Sequence, residues 1–214
     1  MATKNKTAKA AEKVPYHKGN VRTDLIETAL RLLQTERIED ISARRLCREI
    51  NVSSANFYNH FDSLDHLLQE VAAVGFAKRA AENRRLMKKG LPRRDMLIQI
   101  AQNLVEFSIS NSQLFRLMFG QLNDPAEKKY LSGSGESFRI ISEIVMGKDI
   151  YRDDDLVFSH RECRPAYAYY SFIYGLARCI SQGIIDVSGE SAAERRNFVA
   201  GLTEQILYGI DRAD

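Results

Sequence analysis

Residues 42–61, SARRLCREINVSSANFYNHF, contain two serines that each stand directly before a short segment with helical spacing. Serine is a preferred N-cap, because its hydroxyl accepts a hydrogen bond from a free backbone N–H in the first helical turn. Ser42 and Ser53 therefore predict two brief helices, over 43–50 and 54–60. Helices this short depend on packing against other elements, so a supporting helix must lie beside them.

The segments around the two short helices complete one arrangement. Asn51 falls in the connecting turn, where a left-handed residue is needed and asparagine tolerates that conformation. Val52 follows as an apolar plug. Asn20 is the predicted N-cap of a preceding helix through Gln34, whose apolar face holds Leu25, Ile26, Ala29, Leu32 and Leu33. A helix packed across two short helices joined by a tight turn is the helix-turn-helix arrangement.

The rest of the chain predicts further helices and no strand. Ser63 caps a long helix that ends near Lys88 and Lys89 before Gly90. SGSGES at 132–137 predicts a flexible connector. Other helices are predicted over 93–110, 112–120, 137–146 and about 160–182, with a brief start at 124–127 and a last helix from the capping box Ser191-x-x-Glu194 to about 210. We therefore expect an all-α protein.

The helix after Ser53 has two chemically different faces. Ser54 and Asn56 carry short polar side chains that could approach base edges in a DNA groove, whereas Phe57 and Phe61, four positions apart, would fix the helix on its supports. Donors before and after this helix could reach phosphate oxygens. The candidate DNA contacts are Ser42, Arg44, Arg45, Ser53, Ser54, Asn56, Tyr58 and His60.

The distribution of charge also favours an anionic partner at the N-terminal end. Residues 1–61 hold 11 Lys/Arg against 7 Asp/Glu, a net of +4, whereas residues 62–214 hold 20 against 21, a net of −1. Residues 1–19 predict a disordered basic arm that adds salt-sensitive affinity for DNA. A solvated tail with no partner is the alternative interpretation of the same charges.

The stretch ISARRLCREINVSSANFYNHFDSLDHLL resembles the tetracycline-repressor (TetR) family of bacterial transcription regulators. Val52, Ser53, Tyr58, His60, Phe61, Ser63, Leu67 and Leu68 stand at positions that match the family pattern. The sequence departs from that pattern at Asn51 and Ala55, where glycine is usual, and at Leu64, which replaces a common lysine. The resemblance implies a helix-turn-helix domain over 20–62 and a larger helical domain over 63–214 that dimerises and binds a ligand.

LFRLMFG at 114–120 and AYAYYSFIYGLA at 166–177 are similar to one type of C-terminal domain in that family, which usually shows Trp, His and Gly. Tyr170 and Tyr174 replace the Trp and the His, and only Gly175 is retained. The resemblance implies a pocket for a small, largely apolar effector. The candidate lining residues are Phe107, Met118, Phe138, Tyr170 and Tyr174.

The last two long helices predict a two-fold interface between copies of the chain. One carries Ala166, Ala168, Ser171, Gly175 and Ala177, and the other carries Phe198, Val199, Leu202, Ile206 and Ile210. Such broad stripes suit a four-helix interface. A homodimer would bind palindromic double-stranded DNA through two readers, the helix over 54–60 of each copy. The two readers would lie about 34–36 Å apart or a multiple of that spacing. We therefore expect a repressor that an effector releases from its operator.

Other functions have weaker support in the sequence. SGSGES lacks the GxSxG pattern of a nucleophile elbow, and no phosphate-binding glycine loop occurs, so no catalytic residue or cofactor is predicted. The stretch YRDDDLVFSHREC could in principle bind a metal, but it lacks ligand pairs at helical spacing. Cys47, Cys163 and Cys179 show no ligand spacing and indicate a reduced, cytoplasmic protein, with no apolar run long enough for a membrane. An all-α protein-interaction adaptor and an enzyme with its site in the C-terminal helices remain the competing hypotheses.

Overall fold

The computed structural model describes residues 20–120, 132–152, 155–156 and 159–212. Helices dominate these residues, in agreement with the predicted all-α class. The helices are α1 Val21–Leu32, α2 Ala43–Glu49, α3 Ser54–Tyr58, α4 Leu64–Met87, α5 Arg93–Ser110, α6 Ser112–Gly120, α7 Ser132–Met146, α8 Arg164–Ser181 and α9 Ala192–Ile210, with a 3-10 turn at Ile38–Asp40.

The three serine caps lie where the sequence predicts them. The Ser42 and Ser53 hydroxyls accept from backbone N–H groups three residues on, each at 3.2 Å, and the Ser63 hydroxyl accepts from the His66 N–H at 3.0 Å. Asn51 has φ +57°, the left-handed conformation expected for the turn. The predicted helix-turn-helix is therefore confirmed.

The helices bury two apolar clusters. The first joins α1, α2 and α3 to the beginning of α4, and it also takes in Leu114, Leu117 and Met118 of α6. The second lies among α5, α7, α8 and α9, with the end of α4 and Phe115 of α6. Both α4 and α6 thus contribute side chains to each cluster, so these two helices connect the N-terminal and C-terminal parts.

The close approach of α4 and α6 depends on a glycine. A Cβ atom at Gly75 would lie 2.5 Å from the Met118 sulfur, well inside a normal contact distance. Because glycine has no side chain, Met118 can lie directly on the α4 backbone. Met118 therefore packs in the N-terminal cluster, against the first half of α4.

The prediction of a flexible connector at 132–137 is wrong, because Ser132–Met146 forms one helix, α7. Ser137 is buried, and Glu136 forms an ion pair with Arg84 of α4. Contacts of α7 with α4, α5 and α8 outweigh the weak helix preference of glycine and serine. Helix α8 also begins later than expected, at Arg164, and a two-residue antiparallel pair, Tyr151–Arg152 with Asp155–Leu156, precedes it.

Two predicted features lie outside the described residues: the basic arm over 1–19 and the helix start at 124–127. Within the described ranges, no helix is both long enough and apolar enough to cross a membrane.

The left-handed conformation of Asn51 gives a test of the turn. Asn51 is exposed, so its replacement changes backbone strain and little packing. We expect Asn51→Val to lower the free energy of unfolding by about 1–2 kcal/mol, because a β-branched residue is strained at positive φ. Asn51→Gly is the matched control and should be as stable as the parent or slightly more stable. Urea denaturation followed by circular dichroism measures both; equal midpoints for the two variants would contradict this account.

Candidate functional site

Helix α3 presents opposite faces to the core and to solvent. Phe57 is fully buried and Phe61 is 1% exposed, and their ring centroids lie 5.6 Å apart in the N-terminal cluster. Ser54 is exposed and Tyr58 is 61% exposed, whereas Asn56 is half-buried. The aromatic side of the helix is therefore fixed inward, and the polar side remains accessible from outside.

Neighbouring side chains hold Phe61 in place. The Arg22 guanidinium lies 5.2 Å from the centroid of the Phe61 ring, and the same arginine forms an ion pair with Glu70 of α4. The His66 ring also makes a T-shaped contact with the Phe61 ring, with centroids 5.5 Å apart. Helices α1 and α4 thus both contact Phe61, which anchors the C-terminal end of the reader.

Helix α3 is shorter than predicted and ends at Tyr58 rather than at 60. The chain still turns in the same sense, because the backbone N–H groups of His60 and Phe61 donate to the Phe57 carbonyl at 2.9 and 3.0 Å. His60 therefore lies half-buried just beyond the helix, on the side where the chain approaches α4.

Five of the eight predicted DNA contacts line one open depression of about 620 Å³ between α2 and α3. These are Ser42, Arg44, Arg45, Ser53 and Ser54, and Arg48 joins them. The sequence analysis did not select Arg48; its spacing from Arg44, one helical turn along α2, is the signal that could have identified it. Asn56, Tyr58 and His60 follow on α3 and just after it, outside the depression.

The three arginines of α2 differ in their existing partners. Arg45 donates to Glu36 at 3.0 Å and lies 3.4 Å from Glu49, so acidic side chains already neutralise it. A hydrogen bond from Arg31 lowers the pKa of Glu49 from its ordinary value and keeps that carboxylate charged. Arg44 and Arg48 are exposed and have no ion-pair partner in the described part of the chain. Arg44 and Arg48 are thus the cations of α2 with a free charge.

A second candidate site is a small cavity between α4, α5, α6, α7 and α8. Its volume of about 20 Å³ has room for about one water molecule. Burial raises the pKa of Tyr170 to about 12, so this lining hydroxyl stays neutral. The lining residues are Phe76, Arg79, Asn83, Ile100, Leu104, Phe119, Ser137, Ile141, Tyr170, Ile173 and Tyr174.

Two of the five predicted effector contacts, Tyr170 and Tyr174, line this cavity. The other three lie elsewhere in the packing. Met118 fills the space over Gly75, Phe107 lies beneath the Arg79 guanidinium at 5.5 Å, and Phe138 stacks on Tyr167 with centroids 5.5 Å apart. These three side chains pack against other residues of the core. Sequence alone does not distinguish a core residue from a residue that lines a pocket.

The sequence analysis missed the polar lining of the cavity. Arg79 and Asn83 lie one helical turn apart on α4, and both are buried. Their spacing could have identified them, because positions 79 and 83 continue the apolar stripe of Ala72, Phe76 and Leu86 on the buried face of α4. Two polar residues on an apolar stripe are informative because burying them lowers stability unless they have partners.

The described part of the stretch YRDDDLVFSHREC makes local contacts. The His160 ring nitrogen Nδ1 lies 3.0 Å from the Tyr167 hydroxyl, and Glu162 accepts from the backbone and hydroxyl of Ser159. These hydrogen bonds lower the pKa of Glu162 from its ordinary value. Within the described residues, no three His, Cys, Asp or Glu side chains come together in a way that could hold a metal ion.

Comparison with known proteins identifies the type of helix-turn-helix domain. Residues 25–71 match the family model for bacterial regulatory proteins of the tetR family. Residues 25–71 therefore form a TetR-type DNA-binding domain. The match spans the helix-turn-helix and the first turns of α4, and this type of domain supports a DNA-binding regulator.

Solved structures share the fold of this protein over most of its length. A protein of unknown function from Rhodococcus sp. RHA1 is 25% identical, with a TM-score of 0.71 over 91% of this chain and 97% of that one. A TetR-family regulator from Mesorhizobium loti is 14% identical, with a TM-score of 0.62 and coverage of 88% and 95%. The Thermus thermophilus repressor FadR, solved with lauroyl-CoA, is 17% identical, with a TM-score of 0.56 and coverage of 85% and 92%. A search of the curated proteins finds no match.

The two faces of the TetR reader helix give a second test. We expect Phe57→Ala to lower the free energy of unfolding by about 3–5 kcal/mol, because it removes a fully buried ring. Tyr58→Ala, which changes the adjacent exposed aromatic residue, should alter the free energy of unfolding by less than about 0.5 kcal/mol. Chemical denaturation of the two variants measures the difference. A large loss of stability for Tyr58→Ala would show that the exposed ring belongs to the core.

Proposed function

We propose that the chain is a homodimeric repressor that binds a palindromic operator and is released from it by a small effector bound in the C-terminal helices. The observation that carries this proposal is the division of α3, with Phe57 and Phe61 buried and Ser54 and Tyr58 accessible. A segment so divided can enter the major groove without unpacking its own domain. Under this proposal residues 20–62 bind DNA, and residues 63–214 dimerise and bind the effector.

Each predicted DNA contact has a role in the proposal. Ser54 and Asn56 face base edges, since they are the short polar side chains on the accessible side of α3. Ser42, Ser53, Tyr58 and His60 contact phosphates on either side, together with the free cation Arg44. Arg45 reaches phosphate only by leaving Glu36, so we rank it below Arg44.

The basic arm supplies the general attraction to DNA. Residues 20–61 hold six arginines and six acidic residues, so their net charge is zero. Residues 1–19 hold five lysines and one glutamate, which accounts for the whole +4 of the N-terminal 61 residues. We therefore assign sequence reading to the folded helices and most of the salt-dependent affinity to the arm.

Exposed apolar side chains on and near the last two helices support the dimer. Phe198 is 37% exposed, Tyr208 is 55% exposed and Ile184, between α8 and α9, is 71% exposed. Of the predicted interface residues, Ala168 and Ser171 are also accessible. Ala166, Ala177 and Val199 belong to the core of a single chain, so the interface stripe is narrower than the sequence indicated.

The effector site in this proposal is the cavity that contains Tyr170 and Tyr174. The Thermus thermophilus repressor of the same fold was solved with lauroyl-CoA, which supports a ligand site in a protein of this architecture. A small effector could enlarge the cavity here by displacing the aromatic side chains that surround it. Its differential affinity for the enlarged state would then shift the population away from the DNA-binding state.

The proposed signal reaches the reader through α4, and α6 offers a parallel route. Phe119 of α6 lines the cavity, whereas Gln113 and Arg116 of the same helix contact the 3-10 turn before α2. The Gln113 side chain accepts from the Ile38 N–H at 3.2 Å, and Arg116 forms an ion pair with Glu39. A shift of either helix would therefore change the position of α2 and α3.

The assignment of Asn56 to base edges and of Tyr58 to phosphate is tested with operator DNA selected from a random pool by the parent protein. We expect Asn56→Ala and Tyr58→Ala each to cost about 2–6 kcal/mol across two half-sites, which removes detectable operator binding. Thermal stability should remain near that of the parent, because neither change opens the core. Asn103→Ala on α5 is the matched control and should leave operator affinity unchanged. Mutants that melt many degrees lower yet bind the operator normally would contradict the assignment.

The phosphate assignment is tested with a fluorescent duplex of random sequence. Affinity should fall steeply between low and high salt, and Arg44→Ala should reduce the slope of log K against log salt by about 1. Arg94→Ala, which removes an exposed arginine on α5, should leave the slope unchanged. Absence of binding at every salt concentration would reject the DNA-binding function and favour the protein-interaction adaptor.

A further inference from the structure

The cavity has a mixed polar and apolar lining. Arg79 and Asn83 of α4 and Ser137 of α7 are among its lining residues, and the three are 5%, 2% and 8% exposed. Tyr170 and Tyr174 also line it, and the remaining lining residues are apolar: Phe76, Ile100, Leu104, Phe119, Ile141 and Ile173. The site is therefore amphipathic.

These buried polar groups have few partners within the protein. The Asn83 amide and the Ser137 hydroxyl form no side-chain hydrogen bond with any described residue, although both are more than nine-tenths buried. Arg79 has five N–H donors, and within the described residues Nη1 donates to Glu82. A ligand with hydrogen-bond acceptors would therefore find donors of the protein in this cavity.

The charge of Arg79 is only partly compensated. Its side chain is 6% exposed, whereas that of its partner Glu82 is 49% exposed and remains in contact with solvent. The guanidinium also lies 5.5 Å from the centroid of the Phe107 ring, an attraction that does not neutralise it. Burial lowers the pKa of the Arg79 guanidinium from its ordinary value, and Glu82 opposes this shift. A cation in this position would gain from an anion on its cavity side.

We propose that the effector is a small organic acid with one carboxylate and an apolar body. This inference rests on the proposed function and names the ligand class of its effector site. The carboxylate binds Arg79 through paired N–H groups, and Asn83 and Ser137 donate to the remaining oxygen lone pairs. The apolar body lies against Ile100, Leu104 and Ile173.

A monocarboxylate fits the charge of the site better than a phosphate does. Arg79 is the one cation that lines the cavity within the described residues, and the Glu82 carboxylate pairs with it. A dianionic phosphate would leave negative charge uncompensated beside Glu82. Tyr170 and Tyr174 also line the cavity, and a tyrosine side chain supplies no second cation.

The apolar body must displace rings to enter, because the cavity has room for about one water molecule. Phe119 is the ring in a position to move, since it lies at the last turn of α6 and its centroid is 5.2 Å from that of Phe76 and 4.8 Å from that of Tyr174. Displacement of Phe119 would move α6, whose Leu114 and Leu117 pack in the N-terminal cluster. An acid bound at Arg79 can therefore influence the reader through α6.

Isothermal titration calorimetry on the full chain tests the carboxylate. The probes are octanoate and 4-phenylbutyrate, each beside its neutral counterpart, octan-1-ol and 4-phenylbutan-1-ol. We expect at least one acid to bind more than about tenfold tighter than its alcohol, and Arg79→Met to weaken that acid by about 30-fold or more. Arg85→Met on the exposed side of α4 is the matched control and should change the affinity by less than about twofold.

Thermal unfolding without ligand distinguishes a role of Arg79 in ligand binding from a role in the stability of the fold. If Arg79 is retained for a ligand, Arg79→Met should melt at the same temperature as the parent or higher, because a buried charge is replaced by an apolar chain of similar length. A melting temperature that falls by several degrees would assign Arg79 to the structure and overturn the proposal. Asn83→Leu is a second variant. It should also melt at the temperature of the parent or higher, and it should weaken acid binding.

Two further outcomes would overturn the inference. Acids and alcohols that bind equally, with no effect of Arg79→Met, would show an apolar site without carboxylate recognition. Failure of both acids to bind would reject the ligand class while DNA binding by the same preparation left the regulator function standing. Failure of the DNA titration would instead reject the proposed function itself, so the two results are distinguishable.

Discussion

Burial of Phe57 and Phe61 is the interaction on which the rest of the molecule depends. Helix α3 has only five residues and would not persist alone, so its shape comes from two rings held by α1, α2 and α4. Those rings fix which side of α3 faces outward and therefore which side chains DNA could meet. Arg22 and His66 both contact the second of these rings, that of Phe61. The polar face of α3 is accessible because the aromatic face has no freedom to turn.

Much of the reader could be predicted from the sequence because its determinants are local. The hydroxyls of Ser42, Ser53 and Ser63 cap helices within three residues of themselves, and Asn51 adopts its left-handed conformation for reasons contained in the turn. The capping box at Ser191 and Glu194 could likewise be predicted from the sequence. The assignment of Phe57 to the core followed from its spacing with Phe61. These features need no knowledge of distant segments.

The cavity and α7 were not predictable in the same way, because distant contacts decide them. The segment SGSGES has the composition of a connector, yet Ser137 packs against α4 and Glu136 pairs with Arg84, about fifty residues earlier in the chain. Phe107, Met118 and Phe138 are apolar and helical, like any pocket wall, but their partners lie inside the core. Arg79 and Asn83 were visible as polar breaks in an apolar stripe, and only the fold shows that they share one cavity.

Helix α6 places Phe115 in one apolar cluster and Leu114, Leu117 and Met118 in the other. Neither cluster can be dismantled without exposing side chains of the same nine-residue helix, and the contact between Met118 and Gly75 ties that helix to α4 as well. The melting behaviour of the whole chain follows from this sharing. Heat should take both clusters apart in one cooperative calorimetric step, because no intermediate keeps one of them intact while the other is lost.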